Sequence, residues 1–174
     1  MDIETRCQSI ELILSDVDGV LTDGRLVLDN RGIETKVFHV RDGQGISLWR
    51  KAGYRFGLIS LRSSQAVKMR AGELGLEIVR QGADNKLDTL RQILDELEMK
   101  PEQVCYLGDD LPDLPVVRAV GLGVAVADAC GELREAADYV TRAPGGCGAI
   151  RETVEWILKT RNRWEEVIQT YASR

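Results

Sequence analysis

The sequence predicts an α/β protein: a mostly parallel sheet with helices on both faces, plus a small β-hairpin inserted after the first strand. Two observations carry this. Short, nearly continuous apolar runs alternate with amphipathic helical patterns, as expected for strands buried between two helix layers. One stretch near the start breaks the alternation, with two β-rich arms flanking a turn. The 174 residues are expected to form a single domain, 1–174, since a domain averages about 150 residues.

The elements follow in order. Ile10 to Ser15 reads as the first buried strand. Arg25 to Val40 reads as the hairpin, about 25–40, turning at Asp29-Asn30-Arg31-Gly32. Tyr54 to Ser60, Gln103 to Leu107 and Leu122 to Ala127 read as further strands. Shorter ones are expected at Glu77 to Val79 and at Tyr139 and Val140. The clearest helix is Asn85 to Glu98, where Leu87, Leu90, Ile93, Leu94 and Leu97 share one face. Asp84 is its expected N-cap, and Pro101 lies just beyond its end. Pro144 to Gly148 reads as a loop, and Arg151 to Tyr171 as one or two terminal helices, so the C-terminal loop and helices occupy about 144–174.

Composition narrows the function. Apolar residues make up 44% and charged residues 29%, an ordinary globular balance. No apolar run reaches the roughly 18 residues of a membrane span, so no membrane partner is expected. The first residues show no basic region followed by a long apolar stretch, so no secretory signal is expected. A net charge of −5 argues against a nucleic-acid partner, which would need a basic face. Cys7, Cys105, Cys130 and Cys147 form no CxxC pair, which argues against zinc or a thioredoxin-type site. Reduced thiols in a cytoplasmic protein are the simple expectation.

Two acidic clusters stand out. Asp16-Val17-Asp18-Gly19 follows the first strand directly, and Gly108-Asp109-Asp110-Leu111-Pro112-Asp113 follows the strand at 103–107. In an α/β sheet, ligands bind at the carboxyl ends of strands. Each cluster alone could be structural: an acidic turn closed by Gly19, or an acidic helix start favoured by the helix dipole. Two acidic strand ends in one sheet repel each other, and that repulsion asks for a cation such as Mg²⁺. Ser60, ending the second strand, and Lys86, opening the clear helix, offer a hydroxyl and an ammonium that suit a phosphate. Each of these alone could equally be a cap or a solvated surface lysine.

In chain order the pattern is strand-DxDGVLTD, strand-Ser, Lys, strand-GDDxxD. It resembles the haloacid dehalogenase superfamily of phosphohydrolases, whose sheet is Rossmann-like. Nearly the whole chain is similar to one family within it, the 3-deoxy-D-manno-octulosonate 8-phosphate phosphatases. The segments carrying that closer match are His39 to Gly45, Gln81 to Lys86, Val126 to Ala129, Ala137 to Thr141 and Gly145 to Glu152.

The resemblance implies roles. Asp16 would be the nucleophile that forms an aspartyl-phosphate, and Asp18 the general acid and base. Asp16, Asp109 and the backbone carbonyl of Asp18 would hold Mg²⁺, with Asp110 and Asp113 in support. Spacing does not choose between Asp109 and Asp110 as direct ligand; the family favours Asp109. Ser60 and Lys86 would hold phosphoryl oxygens. Arg41, Asp42, Arg62 and Arg70 match the family's substrate-contact positions, with Arg62 and Arg70 favouring the eight-carbon acid. His39, the only histidine, is read as a loop residue near the site.

The family lacks a large cap domain. The resemblance therefore implies a homotetramer whose hairpins form a central barrel, with a neighbour's Gly145 to Gly148 segment covering a small phosphorylated sugar acid. Two positions depart from the family. Ser60-Leu61-Arg62 stands where Thr-Gly-Arg is usual, and Leu61 lacks the backbone freedom of glycine. Cys147 stands where an arginine is frequent. The competing readings are a nine-carbon keto-sugar-acid phosphatase, a non-catalytic binding or oligomerisation module on the same fold, and a receiver domain.

Overall fold

The computed structural model describes residues 2–172. The chain opens with helix α1 (Ile3–Ser9), which the sequence reading does not place. Asp2 caps it by accepting a hydrogen bond from the Thr5 N–H at 2.7 Å. Strand β1 (Leu12–Ser15) follows, buried throughout. The hairpin comes next, as β2 (Val27–Leu28) and β3 (Glu34–Thr35), paired antiparallel. Its turn is built by Asp29, whose Oδ1 accepts from the N–H groups of Arg31 and Ile33, and by Gly32 at φ +77°. The hairpin's pairing is short, two residues in each strand.

Helix α2 (Val40–Lys51) leads to β4 (Arg55–Ile59), then α3 (Gln65–Glu73), β5 (Ile78–Arg80) and α4 (Lys86–Leu97). Asn85 caps α4, its Oδ1 accepting from the N–H groups of Leu87 and Asp88. The cap therefore lies one residue after the expected Asp84, because Asn85 is the residue with extended backbone before the first turn. As a result Lys86 is the first residue of the helix. The chain then forms β6 (Val104–Gly108), a short 3-10 turn, α5 (Leu114–Val117), β7 (Leu122–Ala125), α6 (Gly131–Ala136) and β8 (Tyr139–Val140). Two helices end it, α7 (Ala149–Thr160) and α8 (Trp164–Ala172).

The main sheet runs β5-β4-β1-β6-β7-β8, with each neighbouring pair parallel. From β1 the chain builds one half through β4 and β5, then crosses to β6 and builds the other half outward. The connections leave β1 in opposite directions, so a crevice opens at its carboxyl end. Helix α2 packs on α7 and β4, and α1 on α7 and β7; α5 and α6 pack on β7, and α4 packs on α5. Strands so covered read as unbroken apolar runs, and Leu12, Ile13, Leu14, Val104, Cys105, Tyr106 and Leu107 are all fully buried.

Candidate active site

Four strand ends converge on the crevice. Asp16 follows β1, Ser60 follows β4, the loop to Lys86 follows β5, and Asp109 follows β6. A cleft is lined by Asp16, Asp18, Ser60, Arg62, Lys86 and Asp109, among others. At about 150 Å³ it falls below the roughly 300 Å³ at which small-molecule pockets begin. That is room for a phosphoryl group, with the rest of any larger substrate lying outside it.

Asp16 and Lys86 are buried, and the Lys86 ammonium lies 2.9 Å from Asp16 and 2.6 Å from Asp113. Asp113 is fully buried, and its oxygens are all engaged. Oδ1 accepts from Lys86 and from the Tyr106 hydroxyl at 2.6 Å; Oδ2 accepts from the N–H groups of Asp109 and Asp110. Asp113 thus anchors both the lysine and the loop that carries Asp109. Asp110 caps the 3-10 turn by accepting from the Leu111 N–H.

Oxygens of Asp16, Asp109 and Asp113 lie within 4.8 Å of one another. Burial first, then the Asp113 charge, raises the Asp16 carboxyl to about 6 despite the opposing pull of Lys86. Burial and then Asp16 raise Asp109 to about 8. Burial acts against the Lys86 ammonium, but the charges of Asp16 and Asp113 outweigh it and hold its pKa above the ordinary lysine value. Carboxylates so crowded call for a divalent cation, and hard oxygen donors suit Mg²⁺. Asp113 is already saturated, whereas Asp16 and Asp109 are less fully engaged, Asp16 Oδ1 being paired with Lys86.

Glycines allow this closeness. Gly19 lies at φ +97°, and a Cβ there would fall 2.0 Å from an Asp109 oxygen. A Cβ on Gly145 would fall 1.7 Å from the Gly19 carbonyl oxygen. Gly146 donates its N–H to the Val20 carbonyl, and Gly145 donates to Asp128. Within one chain, then, the Gly145-Gly146 segment clamps the loop after Asp16.

The predicted substrate residues separate. Arg62 reaches the cleft, its Nη2 2.7 Å from Glu34 and its Nε 3.8 Å from Asp18. Arg41 instead lines a second groove with Arg142, Cys147 and Arg151. Arg70 pairs with Glu73 and lies against Gly43. Asp42 is fully buried and accepts hydrogen bonds from the N–H groups of Gly148 and Arg151, so in this chain it caps the start of α7. His39 caps α2, its Nδ1 accepting from the Arg41 N–H. Leu61 lies outside the positive-φ region, so leucine replaces glycine there without backbone strain.

Sequence reasoning passes over Tyr106, hidden in a strand, and over Glu34 and Lys36 on the hairpin. Lys36 pairs with Asp18, and Glu34 bridges Lys36 and Arg62.

Residues 60–145 match the model of the haloacid dehalogenase-like hydrolase family. Over 165 residues, 95% of this chain and 88% of its counterpart, the sequence is 42% identical to 3-deoxy-D-manno-octulosonate 8-phosphate phosphatase KdsC of Escherichia coli. The chain belongs to the haloacid dehalogenase-like hydrolases. It is accordingly a phosphohydrolase, and its solved structural neighbours agree. A probable YrbI family phosphatase of Pseudomonas syringae pv. phaseolica superposes with a TM-score of 0.95 at 48% identity, covering 97% of this chain and 96% of that one. The 3-deoxy-D-manno-octulosonate 8-phosphate phosphatase of Moraxella catarrhalis, solved with magnesium ion, phosphate ion and KDO, gives 0.95 at 40% identity, covering 97% of each chain. Among the described residues, no helix of this hydrolase is long and apolar enough to cross a membrane.

Proposed function

We propose that this hydrolase removes the phosphate from 3-deoxy-D-manno-octulosonate 8-phosphate in a Mg²⁺-dependent reaction. The observation that carries the reading is the meeting of Asp16, Lys86 and Asp109 at the switch point of the sheet, in a chain whose relatives bear that activity. Asp16, Asp109 and the backbone carbonyl of Asp18 would hold the ion. When bound, Mg²⁺ offsets charge between an incoming phosphate and the carboxylates.

The chain's own groups do the rest. Lys86 and Ser60 orient the phosphoryl oxygens. A carboxylate oxygen of Asp16 forms a bond to phosphorus, and the bond from phosphorus to the ester oxygen breaks. The departing oxygen takes the proton of Asp18, which leaves an aspartyl-phosphate and a free alcohol. Asp18 then accepts a proton from water as the water oxygen bonds to phosphorus. The bond to Asp16 breaks, releasing inorganic phosphate and restoring both aspartates.

Since the cleft admits little more than the phosphoryl group, the sugar acid extends out of it past Arg62, which lines it. In this reading a homotetramer in the cytoplasm completes the site, a neighbouring subunit covering the substrate. Arg41 and Arg70 lie outside the cleft of a single chain and would reach substrate only through such an assembly.

The test is phosphate release with Mg²⁺ from the eight-carbon and nine-carbon keto-sugar-acid phosphates, hexose phosphates and p-nitrophenyl phosphate. Preference for the eight-carbon acid is expected. Preference for another member would overturn the substrate, and no release from any would overturn the reaction.

A further inference from the structure

The hairpin places a lysine where the reaction needs a fixed carboxylate. From residue 33 to 38 the chain alternates between its two sides: Glu34, Lys36 and Phe38 are partly covered, while Ile33, Thr35 and Val37 are exposed. Successive side chains of an extended segment point to opposite faces, so one face of this arm is turned toward the cleft. The Lys36 side chain is only 1% exposed. Its ammonium pairs with Asp18 Oδ1 and lies 3.2 Å from Glu34 Oε1. Glu34 Oε1 also accepts from Arg62 Nη2 at 2.7 Å. Arg62 Nε, at 3.8 Å from Asp18 Oδ2, is beyond hydrogen-bond range.

The two oxygens of Asp18 are therefore unlike. Oδ1 is committed as an acceptor to a buried ammonium, which is too costly to desolvate for a casual surface contact. Asp18 lines the cleft, and among the described residues Oδ2 accepts no such hydrogen bond; its charged neighbour is Arg62 Nε at 3.8 Å. We propose that Lys36, itself set by Glu34, is a positioning residue that orients Asp18 so that Oδ2 exchanges the proton with substrate and water. This rests on the reading of Asp18 as the acid and base. In the first half-reaction the proton leaves Oδ2 for the ester oxygen as the phosphorus–oxygen bond breaks; in the second it returns to Oδ2 from water.

The leaving group tests this. A sugar alkoxide needs a proton to depart, whereas p-nitrophenolate does not. The relevant quantity is kcat/KM with Mg²⁺, because breakdown of the aspartyl-phosphate is common to all esters. Lys36→Met should lower it about tenfold to a hundredfold on the sugar-acid phosphate, and less than about threefold on p-nitrophenyl phosphate. Lys36→Arg should restore most of the loss. Asp18→Asn should show the same selectivity more strongly. An equal loss on both esters from Lys36→Met, with selectivity retained in Asp18→Asn, would overturn the positioning role and keep Asp18 as the acid. An equal loss from Asp18→Asn would overturn both. If Lys36→Met does not fold, Lys36→Gln is measured against the same two outcomes.

Discussion

Lys86 and Asp113 form a buried ion pair at 2.6 Å that joins the start of α4 to the loop after β6. The same ammonium reaches Asp16 at 2.9 Å, so one cation serves both carboxylates. Asp113 is a structural centre as much as a neighbour of the chemistry.

Asp113→Ala should therefore cost stability as well as activity. It would strip the Tyr106 hydroxyl and two backbone N–H groups of their acceptor and leave Lys86 with half its partners. Breaking a buried pair from one side costs about 3–5 kcal/mol. A fall of that size in urea unfolding is expected, with Asp113→Asn intermediate. A melt unchanged in Asp113→Ala would remove the anchor role.

Gly19→Ala should act on the site more than on the fold. The added Cβ would meet Asp109 at 2.0 Å, and φ of +97° disfavours any side chain. The loop carrying Asp18 must then move away from Asp109. A displacement of about 1 Å at a reacting centre can cost about a hundredfold in rate. Steady-state kinetics should show that loss with Mg²⁺ saturating. An unchanged kcat would mean that the loop tolerates the shift.

The sheet was legible because its strands are buried on both faces and stand in the sequence as unbroken apolar runs. Helix α4 was legible through its single apolar face, and the site through acidic pairs placed at strand ends. Helix α1 was not, since its seven residues bury only Cys7 and show no period. The capping role of Asp42 was not legible, because family resemblance marks the position only as a substrate contact and a carboxylate that caps a distant helix leaves no local signal. Its partners, Gly148 and Arg151, lie over a hundred residues away. Lys36 was passed over for the converse reason, since a lysine on a hairpin is ordinarily solvated.

Asp42→Ala distinguishes a cap from a substrate contact. Losing both hydrogen bonds at the start of α7 should cost about 1–2 kcal/mol in unfolding. KM for the sugar-acid phosphate should stay within about twofold, since uniform binding is untouched. A large rise in KM with normal stability would make Asp42 a substrate contact.

Mg²⁺ should stabilise the protein more at pH 8 than at pH 5. Asp16 and Asp109, ordinarily near 3.8, are raised to about 6 and about 8 in the fold. Between pH 4 and 8 the folded state of the metal-free protein therefore holds more protons at these sites than the unfolded chain does. Its stability from this pair must fall as pH rises through that window. The deprotonated carboxylates are also the form that binds the ion, so affinity rises as stability without metal declines. At a hundred times its Kd, a ligand adds about 2.7 kcal/mol. Thermal melts with and without Mg²⁺ at both pH values should show the larger shift in Tm at pH 8. Asp109→Asn, which removes one titrating carboxylate and one donor, should shrink both the shift and its pH dependence. Equal shifts at pH 5 and pH 8 in the unmodified protein would mean that the ion binds away from this pair.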